Sequence, residues 1–119
     1  MRSICLVLLL VFGCLPDLQA RDPKANQEID FLINHVANAN VRFIRNGSEY
    51  NSKEAADHLR SKLSSAGERV RSAEDFINGV ATKSYFSGDP YLIKTPDGRT
   101  VPTGPWLMQA LNEHRRARP

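Results

Sequence analysis

The spacing of apolar residues predicts α-helices in four parts of the chain. Between Gln27 and Asn38 apolar residues recur every three or four positions, the period of a helix with one buried face. The same period returns after Ser52, Ser72 and Thr103, each a candidate N-cap. The four predicted stripes are Ile29, Leu32, Ile33 and Val36, then Ala55, Leu59, Leu63, Ala66 and Val70, then Ala73, Phe76, Ile77 and Val80, and finally Trp106, Leu107, Ala110 and Leu111.

Two other parts of the chain alternate between apolar and polar residues, which is typical of β-strands. Val41–Arg45 alternates up to Asn46-Gly47, a dipeptide that accepts the two positive φ angles of a type I′ turn, and Ser48–Tyr50 follows as a return strand. A second pair of short strands surrounds the turn residues Thr95–Gly98. Two β-hairpins are therefore expected, each between two helices.

Together these elements predict the fold class. An isolated hairpin is marginally stable in water, and two hairpins in one sheet would remedy that. We therefore expect an α+β domain of four helices and two short β-hairpins that share one antiparallel sheet, with the order helix, hairpin, helix occurring twice. The alternative is that the hairpins lie separately as lids on a helical bundle. Residues 21–119 are predicted to form this one domain, with an ordered core at about 27–115.

The first twenty residues have the pattern of a secretory signal peptide. Met1-Arg2 is positively charged, Ile4–Leu15 is an apolar run, and Ala20 is a small residue at the expected cleavage site. The apolar run is too short to cross a hydrocarbon core of ~30 Å. Residues 1–20 are thus predicted to direct export and to be removed.

Both cysteines, Cys5 and Cys14, lie within this predicted leader. Cleavage after Ala20 would leave no cysteine, so a disulfide could not stabilise the exported domain and its stability would depend on apolar burial. A different interpretation takes Val11–Cys14 as a lipobox, with Cys14 as the lipidated first residue of an anchored lipoprotein.

The net charge of +3 comes from one end of the chain. Arg115, Arg116 and Arg118 match it in number, and the remainder of the predicted domain is neutral. Such a distribution does not form the basic face that a nucleic-acid duplex requires. The arginine tail is expected to be solvated and frayed, and contact with a membrane surface or a polyanion is the alternative.

Four segments resemble a known family. They are Phe43–Gly47, Ala55–Arg60, Ala66–Val70 and Ser84–Tyr91. In combination they are similar to the uncharacterised family of small exported bacterial proteins that includes YfeK, a domain of unknown function, and the similarity extends over 29–111. The resemblance implies a single-domain periplasmic protein of a Gram-negative bacterium. It implies no activity, ligand or catalytic residue.

Polar and aromatic residues in loops and at hairpin ends favour a non-enzymatic binding or interaction module of the cell envelope. Its partner would be an envelope protein or a small ligand of unknown identity. An exposed hairpin edge could also pair with a second copy, so the oligomeric state stays open. The candidate binding residues are Tyr50, His58, Arg60, Ser84, Tyr85, Gly88 and Tyr91.

The alternative function is a small serine-dependent hydrolase that acts on an envelope substrate. Ser84 with His58 would be the reactive pair, provided that the fold brings them within hydrogen-bond reach. The sequence has no Gly-x-Ser-x-Gly motif, and His35, His58 and His114 lack the spacing of metal ligands. A glycine-rich phosphate loop is also missing, so no cofactor is implied.

Overall fold

The computed structural model describes residues 21–84 and 87–118. The predicted signal peptide, with Cys5 and Cys14, lies outside the described residues, and so does Tyr85. No helix in the described part of the chain is long and apolar enough to cross a membrane.

Four helices and four strands make up the described structure, which confirms the predicted α+β class. A short 3₁₀ turn, Gly67–Arg69, follows the second helix. In chain order the elements are α1 (Pro23–Asn38), β1 (Arg42–Arg45), β2 (Ser48–Tyr50), α2 (Ser52–Ala66), α3 (Ala73–Gly79), β3 (Leu92–Lys94), β4 (Thr100–Pro102) and α4 (Thr103–Ala117).

The two hairpins share one antiparallel sheet, as the prediction required. The strand order is β2-β1-β3-β4, so the first strands of the two hairpins pair with each other at the centre. Phe43 of β1 lies opposite Ile93 of β3 on one side and opposite Tyr50 of β2 on the other. Asn46 and Gly47 have φ angles of 51° and 81°, the two positive values that a type I′ turn needs.

The start of α2 differs by one residue from the prediction. Asn51, not Ser52, is the N-cap: its side chain accepts a hydrogen bond from the Glu54 amide at 2.8 Å, and the Glu54 carboxylate accepts one from the Asn51 amide at 3.0 Å. This is a reciprocal capping box. Ser52 is the first helical residue, and its hydroxyl donates to the carbonyls of Ala39 and Val41, which tie the end of α1 to the start of α2.

Helices α1 and α3 start with capped first turns. Ser72 is the N-cap of α3, as predicted, and its hydroxyl accepts a hydrogen bond from the Asp75 amide at 3.0 Å. The Asp75 carboxylate accepts from the Arg71 amide at 2.9 Å. Helix α1 begins at Pro23, earlier than the apolar period indicates, because Asp22 caps it and proline fits the first helical position.

The start of α4 is also shifted from the prediction. Pro102 occupies the N-cap position and Thr103 is the first helical residue, so the prediction that Thr103 caps this helix is wrong. The Thr103 amide donates to the Tyr91 carbonyl at 3.0 Å. Its hydroxyl is buried and has no hydrogen-bond partner among the described residues.

The helices cover one face of the sheet and bury the apolar stripes against it. Phe43 and Ile93 are the strand residues that enter this core. On the sheet's other face Glu49 forms exposed ion pairs with Arg42 and Lys94, at 3.5 and 3.7 Å. The buried helical and loop residues of the core are Ile29, Leu32, Ile33, Val36, Ala55, Ala56, Leu59, Val70, Ala73, Phe76, Ile77, Val80, Ala81, Leu107, Ala110 and Leu111.

Arg115 fastens three helices together, although the sequence suggested that it belongs to a free basic tail. Its guanidinium donates to both carboxylate oxygens of Glu28 on α1, at 2.7 and 2.8 Å, and to those of Glu74 on α3, at 2.7 and 3.2 Å. These hydrogen bonds lower the pKa of both carboxyl groups. Arg115 therefore closes the end of the helical layer.

Candidate functional site

A cleft between α2 and the sheet brings together three of the residues that the sequence singled out. Tyr50 lies at the end of β2, His58 on the second turn of α2, and Tyr91 directly before β3. All three line a cavity of about 170 Å³. The structure thus places residues from three separate parts of the chain around the same partly open cavity.

The strand pleat and the helix period explain this convergence. Phe43 and Arg45 are two positions apart on β1, so they project from the same face of the sheet, and Tyr50 is the cross-strand partner of Phe43. From the helix, Glu54 and His58 project together because they are four residues apart. The cavity is lined by Phe43, Ile44, Arg45, Tyr50, Glu54, Ala55, His58, Leu59, Ala81, Tyr91 and Thr103.

Arg45 is the central polar residue of the cleft, and the sequence analysis did not include it among the candidates. Its guanidinium donates to the Tyr50 hydroxyl at 3.1 Å and contacts His58 Nε2 at 3.1 Å. The guanidinium carbon also lies 5.2 Å from the centre of the Tyr50 ring, a cation–π contact. Arg45 has no ion-pair partner among the described residues, although the Glu54 carboxylate also lines the cavity.

The contacts of His58 assign its protonation state. Arginine can only donate hydrogen bonds, so a ring nitrogen of His58 must accept from Arg45, and Nε2 is the nearer one at 3.1 Å, against 3.5 Å for Nδ1. The Tyr91 hydroxyl lies 3.4 Å from the same Nε2. Burial lowers the pKa of His58, and the positive charges of Arg45 and Lys62 lower it further. His58 is therefore the neutral acceptor of the cleft.

Lys62 holds Tyr91 in place from outside the cavity lining. Its ammonium group donates to the Val80 carbonyl at 2.7 Å, to the Lys83 carbonyl at 3.1 Å and to the Tyr91 hydroxyl at 2.8 Å. An ammonium group has three hydrogens, so these three acceptors use all of them. Lys62 therefore positions the Tyr91 ring and the loop after α3, and it has no donor left for a ligand.

The cleft has an apolar interior and a polar entrance. Phe43, Leu59 and Ala81 are buried, whereas Arg45 and Tyr50 are half-buried. At the buried end lies Thr103, which is 2% exposed and whose hydroxyl lacks a partner among the described residues. A buried hydroxyl without a hydrogen bond is destabilising, so a polar group that reached this atom from the cavity would remove that cost.

Three other predicted residues lie outside the cleft. Arg60 is exposed on α2 and pairs with Asp57 at 3.2 Å. Ser84 is buried, and its backbone closes a turn through hydrogen bonds with Asp89 and Gly88, at 2.9 and 3.0 Å. Gly88 has a φ of +75°, so its role there is that of a turn residue.

Ser84 and His58, the pair that the hydrolase alternative requires, are not hydrogen-bonded to each other in the described structure. The hydrogen-bond contacts of the His58 ring are with Arg45 and Tyr91. Among the described residues no group of three histidine, cysteine or acidic side chains is placed to hold a metal ion.

A second aromatic cluster lies on α1 and α4. Phe31 and His35, four residues apart on α1, stack with ring centres 5.8 Å apart. Phe31 also stacks on His114 at 4.0 Å, and His35 lies 4.7 Å from the Trp106 ring. Phe31 and Trp106 are partly buried against the core, so the cluster extends the core packing between α1 and α4.

The fold and the cleft together define a small α+β domain with a partly open cavity at a helix–sheet junction, to which Arg45, His58 and two tyrosines contribute. A family model, the family of unknown function DUF5329, matches residues 23–115. The chain therefore belongs to this family. Over 91 residues, 76% of this chain and 75% of the relative, it is 34% identical to the uncharacterized protein YfeK of Salmonella typhimurium, which confirms the resemblance found in the sequence. No solved structure shows a significant match to the chain.

Proposed function

We propose that this protein is a non-enzymatic binding module of the bacterial cell envelope, and that the cleft between α2 and the sheet is its binding site. The observation that carries the proposal is the convergence of Arg45, His58 and Tyr91 around a cavity of about 170 Å³. Small-molecule sites are concave and mostly apolar, with a few placed polar groups. This cleft has that composition.

Preorganisation of the cleft supports binding. Tyr50 and His58 orient the Arg45 guanidinium, and Lys62 orients Tyr91, so the polar groups are held in position without a ligand. A site whose side chains are already ordered loses less conformational entropy when a ligand enters.

The chemistry of the cleft favours binding over catalysis. Nucleophilic catalysis needs a nucleophile beside a base. His58, the base that the sequence pointed to, accepts its hydrogen bond from a permanently charged guanidinium, and its pKa is lowered by that charge. Such a histidine is a weak proton acceptor, and the hydrolase alternative is not part of the proposal.

The envelope location rests on the signal-peptide pattern of residues 1–20 and on the resemblance to exported bacterial proteins. An envelope binding module would encounter small solutes that enter from outside the cell. This context fits a cavity sized for one small molecule.

The test is NMR spectroscopy of the protein, expressed from its full-length chain, with a fragment library of small organic acids, amines and neutral aromatics. We expect a subset of fragments to shift the amide resonances of β1, of α2 near His58 and of Tyr91, and to be recovered unchanged. A library in which no member shifts these resonances would contradict the binding role, and so would chemical conversion of a bound fragment.

A further inference from the structure

We infer that the cleft binds a small aromatic acid whose carboxylate meets Arg45 and whose opposite end carries a polar group that hydrogen-bonds to Thr103. This inference rests on the proposed binding function and adds the chemical class of the ligand. Three observations support it: the N–H groups of Arg45 that have no hydrogen-bond acceptor, the size and lining of the cavity, and the Thr103 hydroxyl, which has no hydrogen-bond partner among the described residues.

Arg45 supplies the charge for an anionic ligand. A guanidinium has five N–H donors, and Arg45 uses one on each terminal nitrogen, toward His58 and Tyr50. Three donors remain, and a guanidinium forms strong charge-assisted hydrogen bonds to a carboxylate. Glu54 is the acidic residue of the lining, and its carboxylate is engaged at the Asn51 amide in the capping box.

The cavity has room for a single ring. An engineered apolar cavity of about 150 Å³ holds one benzene molecule, and this cavity measures about 170 Å³. Its walls include the aromatic rings of Phe43 and Tyr91 and the aliphatic side chain of Leu59. These side chains favour a flat apolar body over a sugar or a phosphate, which need many more hydrogen-bond partners.

Thr103 adds a requirement at the buried end. The residue is 2% exposed, and its hydroxyl has no hydrogen-bond partner among the described residues. Thr103 is also the first residue of α4, where the helix dipole gives a positive potential that favours a partial negative charge. A hydroxyl or similar group on the inner end of the ring would satisfy it. The para-hydroxybenzoate type has this arrangement, with a carboxylate and a hydroxyl at opposite ends of one ring.

Isothermal titration calorimetry and NMR titration with benzoate, 4-hydroxybenzoate and benzamide test the inference. Benzoate and 4-hydroxybenzoate should shift the cleft resonances, and neutral benzamide should bind at least tenfold more weakly than benzoate. Arg45→Met should weaken both acids about tenfold to hundredfold, the value of a hydrogen bond to a charged group. Arg42→Met, on the same strand but outside the cavity lining, should leave both affinities unchanged.

The Thr103 contact has its own signature. 4-Hydroxybenzoate should bind about three- to tenfold more tightly than benzoate, the value of one neutral hydrogen bond. Thr103→Val, similar in shape, should abolish this preference and leave benzoate affinity unchanged. Thr103→Ser should keep the preference, and it tests the same hydroxyl if the valine variant does not fold.

The outcomes separate the two proposals. If benzamide binds as well as benzoate, or if Arg45→Met binds like the unaltered protein, the acid is not the ligand class. If neither acid binds but other library fragments shift the cleft resonances, the aromatic-acid inference fails and the binding function stands. If no compound affects the cleft, both fail.

Discussion

Replacement of Arg115 by methionine is expected to be the most destabilising change to any charged residue on α4. Methionine keeps most of the length of the side chain and removes its charge and hydrogen bonds. In the intact protein one guanidinium neutralises the carboxylates of Glu28 and Glu74 through four contacts of 2.7–3.2 Å. The substitution leaves two acidic groups facing each other without the cation that hydrogen-bonds to both.

The magnitude follows from the burial of each partner. Breaking a fully buried ion pair costs about 3–5 kcal/mol, because one charge is left unpaired in a poorly solvated site. The Glu28 side chain is 7% exposed, whereas those of Arg115 and Glu74 are 36% and 43% exposed, so water solvates part of this cluster. Partial exposure reduces the expected loss to about 2–3 kcal/mol. For a domain of this size that corresponds to a decrease in Tm of about 10–20 °C.

Thermal and urea unfolding followed by circular dichroism would measure this loss. Arg116→Met is the matched control, because Arg116 is the next residue, is exposed and forms no ion pair among the described residues. Adding Glu28→Gln to Arg115→Met should recover part of the stability by removing the buried charge. Equal free energies of unfolding for the Arg115 and Arg116 variants, within about 0.5 kcal/mol, would show that the Arg115 ion pairs do not stabilise the fold.

The pH dependence of the same pair of proteins provides a second test. The guanidinium lowers the pKa of Glu28 and Glu74 below the ordinary value of 4.5. A carboxyl group with a lowered pKa in the folded state contributes stability above its ordinary pKa and loses it as the pH falls through the folded value. The stability difference between the unaltered protein and Arg115→Met should therefore be largest near neutral pH and shrink below pH 4.5.

Three further predictions follow from the cleft and the leader. Lys62→Met should lower the free energy of unfolding by about 1–3 kcal/mol, because the Val80 and Lys83 carbonyls lose their donor; Lys53→Met, on an exposed position of α2, is the control and should change it little. NMR titration of His58 should give a pKa below 6.5, and its contribution to stability should decrease as the pH falls through that value; a midpoint above 6.5 would contradict the assigned contacts. The intact mass of the exported protein should correspond to residues 21–119, and a lipid-modified mass beginning at Cys14 would favour the lipobox instead.

The sequence predicted the elements well because their signals are local. Helical periods, an Asn-Gly turn and a Ser-x-x-Asp cap each depend on residues within a few positions of one another. The N-caps of α2 and α4 are each displaced by one residue from the prediction, and at α2 the reason is that two neighbouring residues can both cap the helix. Asn51 prevails over Ser52 since Glu54 completes a capping box with it. At α4 the helix begins at Thr103 itself, with Pro102 in the cap position, which leaves the Thr103 hydroxyl unpaired at the cavity.

The residues that the sequence missed act across long distances in the chain. In the sequence Arg45 is an ordinary hairpin residue, and only the packing of α2 places His58 beside it. Arg115 looks like part of a basic tail until α1 and α3 bring Glu28 and Glu74 to it. Tyr50, His58 and Tyr91 were found because aromatic and polar residues at element ends are common in binding sites. Their convergence depends on the pairing of β1 with β3, which no local pattern specifies.

The most direct test of the binding cleft is an isotope-filtered NOE experiment on the protein saturated with 4-hydroxybenzoate. We expect intermolecular NOEs from the ring protons of the ligand to the methyl groups of Leu59, Ala81 and Thr103. These NOEs should be lost in Arg45→Met at the same ligand concentration. NOEs to residues elsewhere on the surface, or NOEs in the cleft that persist unchanged in Arg45→Met, would contradict this expectation.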